Sequence, residues 1–238
     1  MGKNLIQQAR GKGSPRYRAP SFRYKGQSKY AKYEKSGLTG KITDLIHCQG
    51  HSSPLAQIRY DNGSTILMHA PEGVKIGDNV EMGDNIDAKK GNVMPLKNIP
   101  EGMAIYNIEL FPGDGGKFVR ASGGFAKIVT KMQNMIVVEL PSSKRKKFLP
   151  DCRATIGVIA GSGRKEKPFL KAGTRYYAMK AKNKLWPQVS GTSMNSVDHP
   201  FGGSSSAVKG GPTVASRNAP PGAKVGKISP NRTGRKKR

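Results

Sequence analysis

The sequence predicts a mainly β protein: an OB-like barrel followed by an SH3-like barrel, with extended basic arms and one short helix. Short alternating segments recur about every 8–12 residues between turn signals, which is typical of small antiparallel barrels. The length of 238 residues suits two small domains plus tails better than one large core. We therefore expect a basic aromatic arm over residues 1–35, the OB-like barrel over 36–97, the SH3-like barrel over 98–172, and a helix remnant and basic tail over 173–238.

The arm at residues 1–35 combines positive charge with aromatic rings. It carries ten Lys and Arg against one acid, a net charge of +9. The rings interleaved with these cations are Tyr17, Phe22, Tyr24, Tyr30 and Tyr33. Cations can neutralise phosphates, and each ring can stack on an unpaired base for about 1–3 kcal/mol. We favour nucleic-acid binding over the alternative of a disordered basic tail whose rings contact its own body.

The first barrel is predicted from four segments. Residues 38–46 alternate between apolar and polar, and residues 55–60 and 65–69 flank Asp61-Asn62-Gly63. Asn-Gly accepts a positive φ at low cost, so this pair predicts a hairpin. A Gly-Asp turn and a further strand occupy residues 73–82, and residues 95–100, which hold two prolines, are interpreted as a linker.

The second barrel begins with a strand at residues 104–110, and a glycine-rich tight turn follows at 113–117. Residues 125–130 and 135–140 are expected to pair across the turn at 131–134, and the last strand lies at 153–159. A helix is predicted over 168–182, with Leu170, Tyr176, Tyr177 and Met179 on its apolar side despite Gly173.

The overall charge indicates a polyanionic partner. The chain holds 42 Lys and Arg against 15 Asp and Glu, a formal charge of +27 and a pI near 10.3. Residues 182–238 hold 11 basic residues, one acid and 22 Gly, Pro or Ser, so they are expected to order only on a partner. No apolar run is long enough for a membrane helix, the N-terminus has no secretory pattern, and two isolated cysteines do not make a disulfide framework, so a cytoplasmic setting is expected.

Several motifs resemble the universal large-subunit ribosomal protein L-two family, in its archaeal or eukaryotic form. They run in order through nearly the whole chain: Arg10-Gly-Lys-Gly-Ser, Pro54-Leu-Ala, Ile99-Pro-Glu-Gly, Pro112-Gly-Asp-Gly-Gly-Lys, Arg120-Ala-Ser-Gly, Arg153-Ala, Ile159-Ala-Gly-Ser-Gly-Arg, Lys167-Pro-Phe-Leu-Lys-Ala-Gly, Trp186-Pro, Met194-Asn, Val197-Asp-His-Pro-Phe-Gly-Gly and Arg232-Thr-Gly-Arg. The resemblance implies the same two barrels. It also implies a structural constituent of the large ribosomal subunit, with rRNA and neighbouring ribosomal proteins as partners and the cytoplasmic ribosome as location. It further implies support of subunit assembly, subunit association, tRNA binding and the RNA-built peptidyl transferase centre.

The chain departs from the family pattern around the Met194-Asn and Val197-Asp-His-Pro-Phe-Gly-Gly motifs. Thr192-Ser193 replace the usual Val-Ala, Ser196 replaces a proline, and Phe201 stands where bacterial members have a second histidine. Losing the proline leaves the loop less preset before binding, and Phe201 weakens any mechanism that needs two imidazoles.

We expect RNA contacts and no catalytic residue, metal or cofactor. The predicted RNA-binding residues are Arg10, Lys12, Arg16, Tyr17, Arg18, Arg23, Lys25, Arg120, Arg164, Lys165, Lys184, Trp186, Asn195, Asp198, His199, Gly202, Gly203, Arg217, Lys224, Lys227, Arg232 and Arg235.

The main alternative to RNA contact is general-base catalysis by His199. Asp198 could orient its imidazole as a general base near neutral pH, and family members have been suggested to aid peptidyl transfer, although that reaction is attributed to RNA. Adjacent residues seldom point suitably for this, and no nucleophile or oxyanion donor set is evident. In the interpretation we favour, Pro200 keeps His199 extended and Gly202-Gly203 allows close approach to RNA.

Other motifs do not support different chemistry. His47, Cys48 and His51 lack a second pair of zinc ligands, and His69 is interpreted as a polar residue at a strand end. Gly161-Ser-Gly-Arg-Lys lacks the spacing of a nucleotide-binding loop. Two classes of function therefore stay open: a structural rRNA-binding protein, and an RNA-acting enzyme or free translation factor built on the same barrels.

Overall fold

The computed structural model describes residues 5–32, 37–203 and 213–232. Within these ranges the strands are β1 Leu38–Ile46, β2 Leu55–Tyr60, β3 Thr65–His69, β4 Asn79–Met82, β5 Val93–Pro95, β6 Ala104–Tyr106, β7 Ala126–Lys131, β8 Ile136–Glu139, β9 Arg145–Phe148, β10 Arg153–Ile156, β11 Val214–Ala215 and β12 Lys227–Ile228. The helices are α1 Ile6–Gly11 and α2 Ala172–Lys180, with short 3-10 helices at Pro15–Tyr17, Ser21–Arg23, Ser162–Lys165 and Gly191–Ser193. The predicted mainly β class is confirmed.

Ten of the strands form one sheet in the order β3-β2-β1-β4-β5-β10-β6-β7-β8-β9. Its two halves meet where β5 pairs with β10, and β4–β5 is a parallel pair. Each half encloses a separate hydrophobic core: Ile42, Ile58 and Met68 lie in the first, and Ile105, Ile128 and Val138 in the second. β11 and β12 form a separate two-stranded parallel sheet.

The first hairpin forms as its turn residues predict. β2 and β3 pair antiparallel up to Arg59 opposite Thr65. Between them Gly63 takes a φ of +80°, and the side-chain carbonyl of Asn62 accepts the backbone N–H of Ser64 at 3.0 Å. The amide thus fixes the turn that sets the strand register.

The second predicted hairpin also forms. β7 and β8 pair antiparallel with Lys131 opposite Ile136, and the N–H of Met132 donates to the carbonyl of Met135. The strand expected at 104–110 is shorter than predicted: β6 ends at Tyr106, because Asn107 turns the backbone to a φ of +50°.

Residues 95–100, interpreted above as a linker, belong to the second core. Pro95 is the last residue of β5, and Leu96 and Ile99 are fully buried in the second cluster. Both side chains pack in this core, so the segment is part of the packed structure and does not act as a free linker.

The prediction that Tyr30 stacks on bases is wrong, because this ring is only 7% exposed and lies in the first core. Its hydroxyl bonds the carbonyl of Asn107 and the hydroxyl of Thr155, each at 2.7 Å. Beside it, Arg153 and Glu109 form a buried ion pair with a shortest N–O distance of 2.7 Å. The first barrel therefore needs part of the N-terminal arm to complete its core.

The chain separates into two compact units. Among the described residues, one contains 21–32 and 37–170 with the ten-stranded sheet, and the other contains 5–20 together with 171–203 and 213–232. No helix in the described ranges is long and apolar enough to cross a membrane.

α2 is shorter and less apolar than the helix predicted over 168–182. Leu170 lies before its first turn and is 90% exposed, and Tyr177 is 70% exposed. Tyr176 is also exposed, and no residue of α2 is buried. The helix therefore presents its rings to the surface.

Candidate nucleic-acid interface

Three predicted contacts from the N-terminal arm lie on neighbouring short helices. Arg10 is in the last turn of α1, and Arg16 and Tyr17 form most of the 3-10 helix that starts at Pro15. Gly13, with a φ of +64°, turns the chain between the two helices. This turn brings cations and a ring into one short stretch of surface.

Two predicted contacts from the C-terminal segment follow α2. The N–H of Lys184 donates to the carbonyl of Met179 at 2.9 Å, so the chain folds back at the helix end. Asn183 adopts a φ of +54° in this turn. Trp186 comes next, and the guanidinium carbon of Arg175 lies 4.1 Å from the centre of its ring.

These two segments line one groove, here called the aromatic groove, with a volume of about 730 Å³. It is lined by Arg10, Pro15, Arg16, Tyr17, Tyr176, Lys180, Asn183, Lys184, Leu185, Trp186 and Gln188. Four of these residues are cationic and three are aromatic, and among the described residues that line the groove none is acidic. Such a surface can attract phosphates and stack on exposed bases.

The structure brings together five residues that the sequence predicted separately. Arg10, Arg16 and Tyr17 meet Lys184 and Trp186 across more than 160 positions of sequence. Tyr176, Lys180, Asn183 and Gln188 were missed. The sequence does contain signals for them. Residues 167–197 contain no Asp or Glu. Tyr176 and Lys180 are also four positions apart, which places them on the same face of a helix.

A second feature is the histidine loop, residues 194–203. The N–H of Phe201 donates to Nδ1 of His199 at 3.0 Å, and the two rings meet edge to face. Because Nδ1 accepts this bond, the neutral imidazole carries its proton on Nε2. The loop closes where the N–H of Gly203 donates to the carbonyl of Met194 at 3.0 Å.

The lack of a side chain at Gly202 allows two parts of the histidine loop to pack closely. It is buried, and a Cβ at this position would collide with the backbone carbonyl of Asn195. We expected this glycine to let the backbone approach RNA. In this structure it lies instead against the backbone of Asn195 in the same loop. Val197, at 74% exposed, is the most exposed hydrophobic residue of the loop.

On the sheet unit, Arg120 is held by the protein. Its Nε donates to Nε2 of His69 at 3.1 Å, and its two terminal nitrogens donate to the carbonyls of Gly116 and Ser28. Burial lowers the pKa of Arg120 below its usual value. His69 is buried rather than simply placed at a strand end, and RNA contact by Arg120 stays a prediction.

Arg164 and Lys165 lie in the exposed 3-10 helix Ser162–Lys165, where Nε of Arg164 donates to the hydroxyl of Ser122 at 2.9 Å. Cys48 lies 3.2 Å from Nδ1 of His51, and no group of three or more potential metal ligands converges within the part of the chain that the structure describes.

The other predicted contacts are spread over the surface. Those that are exposed are Lys12, Arg18, Arg23, Lys25, Asn195, Asp198, Arg217, Lys224, Lys227 and Arg232. Gly203 is half-buried, and Arg235 lies outside the described residues, as does Tyr33. Phe22 is 83% exposed and carries Arg23 over its ring, which suits the predicted stacking.

The chain is similar to known proteins over its whole length. The family model described as Ribosomal Proteins L2, C-terminal domain, matches residues 89–224. Proteins named Large ribosomal subunit protein uL2 match it from Methanococcus aeolicus at 51% identity (99% of this chain, 100% of the relative), Methanocaldococcus jannaschii at 52% (100% of both) and Methanothermobacter thermautotrophicus at 49% (100% of both).

Proposed function

Since this chain belongs to the archaeal type of the ribosomal protein L2 family, we propose that it is a primary rRNA-binding protein of the large ribosomal subunit in the cytoplasm. It supports subunit assembly, subunit association, tRNA binding and the peptidyl transferase centre, which is itself RNA. Its partners are large-subunit rRNA, neighbouring ribosomal proteins and, at an intersubunit bridge, small-subunit rRNA.

The aromatic groove is the observation that carries this proposal. It combines four cations with three rings and no described acidic lining residue, as expected of a surface that binds RNA backbone and bases together. The formal charge of +27 supplies long-range attraction to the same polyanion.

His199 contacts RNA in this proposal and does not catalyse. A general base must accept a proton, but the Nδ1 lone pair is already used by the N–H of Phe201, and Nε2 holds the proton of the neutral ring. Nε2–H is therefore available to donate to a phosphate or a base edge. Direct catalysis by His199 is the alternative, and substitutions of this residue by Gln and Ala distinguish the two roles.

Sedimentation separates the proposal from its other alternative, a free RNA-binding translation factor. We expect the protein to stay with large subunits from its own cells through a high-salt wash, because ordered segments held among RNA helices release slowly. A factor that binds only at the surface would leave with the wash, since such binding is dominated by screened phosphate contacts. Release of most of the protein from the large subunits into the high-salt wash would overturn the proposal.

A further inference from the structure

We propose that the aromatic groove binds one unstacked base of single-stranded RNA together with its adjacent phosphates. This inference rests on the proposed rRNA-binding function and specifies the form of RNA that one site recognises.

The rings of the groove are held in place by neighbours. Arg175 lies over the ring of Trp186 without itself lining the groove, which leaves the rest of the indole for a ligand. Tyr176 meets Tyr177 edge to face, with ring centres 5.4 Å apart. Tyr17 comes from the other end of the chain, so rings reach the groove from both of its segments. Positioned rings of this kind stack on flat bases.

The cations of the groove are the reason to expect that the ligand carries phosphates beside the base. Arg10, Arg16, Lys180 and Lys184 are all exposed and line the same space as the rings. A double helix presents phosphates but keeps its base faces stacked inside, so it would leave the rings without a partner. An unpaired nucleotide offers a base face and phosphates at once.

The remaining polar residues and the size fit the same ligand. Asn183 and Gln188 place side-chain amides on the lining, and an amide can donate to and accept from a base edge. The volume of about 730 Å³ lies within the usual range of small-ligand sites. It has room for one nucleotide with its flanking phosphates.

The single tryptophan of the chain is Trp186, so its fluorescence reports directly on the groove. The full-length protein is titrated with a short single-stranded RNA and with an abasic strand of equal length and charge. We expect the base-bearing strand to quench Trp186 and bind more tightly, while the abasic strand binds weakly with little quenching. Equal affinity and equal quenching by the two strands would overturn the inference without any mutant.

Variants then separate rings from charges, with binding followed by the anisotropy of labelled RNA. Trp186→Ala should weaken binding of the base-bearing strand by roughly 5- to 150-fold and leave the abasic strand unchanged, whereas Trp186→Phe should keep most of the affinity. Lys184→Ala should weaken both strands and reduce the log–log salt slope by about 0.7. Phe111→Ala is the matched control, because this ring is 63% exposed and neither lines the groove nor packs on the rings that do.

The results distinguish this inference from the proposed function. If Trp186→Ala weakens both strands equally, or Phe111→Ala weakens binding of the base-bearing strand as much as Trp186→Ala, the base-binding groove is wrong while rRNA binding stands. If neither strand nor an rRNA fragment shows salt-dependent binding, the proposed function itself is wrong.

Discussion

At the scale of single residues, His69 shows how the sheet unit holds a neutral imidazole. Arg120 can only donate, so Nε2 of His69 must accept, and Nδ1 then donates its proton to the hydroxyl of Ser53 at 2.7 Å. Burial, aided by the nearby charges of Arg120 and His51, lowers the pKa of His69 from 6.5 to about 3.

This pKa predicts a loss of stability in mild acid. Below pH 6.5 the unfolded chain protonates His69, while the folded chain keeps it neutral down to about pH 3. The free energy of unfolding should therefore fall between pH 6.5 and 5, by up to about 1.4 kcal/mol per pH unit, above the range where ordinary carboxyls titrate. Urea unfolding measured across this window tests it. His69→Gln should flatten the slope, and His47→Gln, at an exposed position, should leave it unchanged. An unaltered slope in His69→Gln would refute the assignment.

His199 provides a second test at this scale. His199→Gln keeps a donor of similar length but cannot act as a base near pH 7, whereas His199→Ala removes the contact. For RNA contact, ribosomes with Gln should retain most peptide-bond formation, and Ala should chiefly impair assembly or subunit joining. Single-turnover peptide transfer on purified mutant ribosomes measures this. A loss of about 10²–10⁴ in both variants, with normal assembly, would instead indicate general-base catalysis.

At the scale of elements, the N-terminal arm divides into two parts with different roles. Residues 5–20 belong to the unit with the aromatic groove, whereas Ser28, Tyr30 and Ala31 are buried with the sheet. A truncation meant to remove only RNA-binding residues should therefore stop at residue 20.

Deleting residues 1–20 should leave the urea midpoint of the sheet unit nearly unchanged. It should also flatten the salt dependence of rRNA binding by about 0.7–0.9 log–log units for each phosphate that the shortened protein no longer neutralises. Deleting residues 1–32 also removes Tyr30 from the core and should cost at least about 3–5 kcal/mol of unfolding free energy. Urea unfolding and binding to rRNA fragments at several salt concentrations check both effects. Equal stability of the two truncations, or an unchanged salt slope in both, would contradict this division.

At the scale of the whole molecule, the features that could be predicted are those set by neighbouring residues. The bounds of β1, β2 and β3 match the predicted segments because alternation and an Asn-Gly turn are local properties. Leu96, Ile99 and Tyr30 were misplaced because their burial depends on strands far along the chain. The cations and rings of the interface were recognisable from composition, but the meeting of Arg16 with Trp186 depends on two distant segments folding together.

The pairing of β5 with β10 has a consequence for the chain while it is being synthesised. A ribosome releases the chain from its N-terminus, so all residues of the first core have been made once Val93 has emerged. β5 then presents an unpaired sheet edge until residues 153–155 of β10 have been made and pair with it. Such an edge can recruit strands from other nascent chains. During this interval the nascent chain exposes an edge that promotes aggregation, and a chaperone that covered the edge would lower that risk.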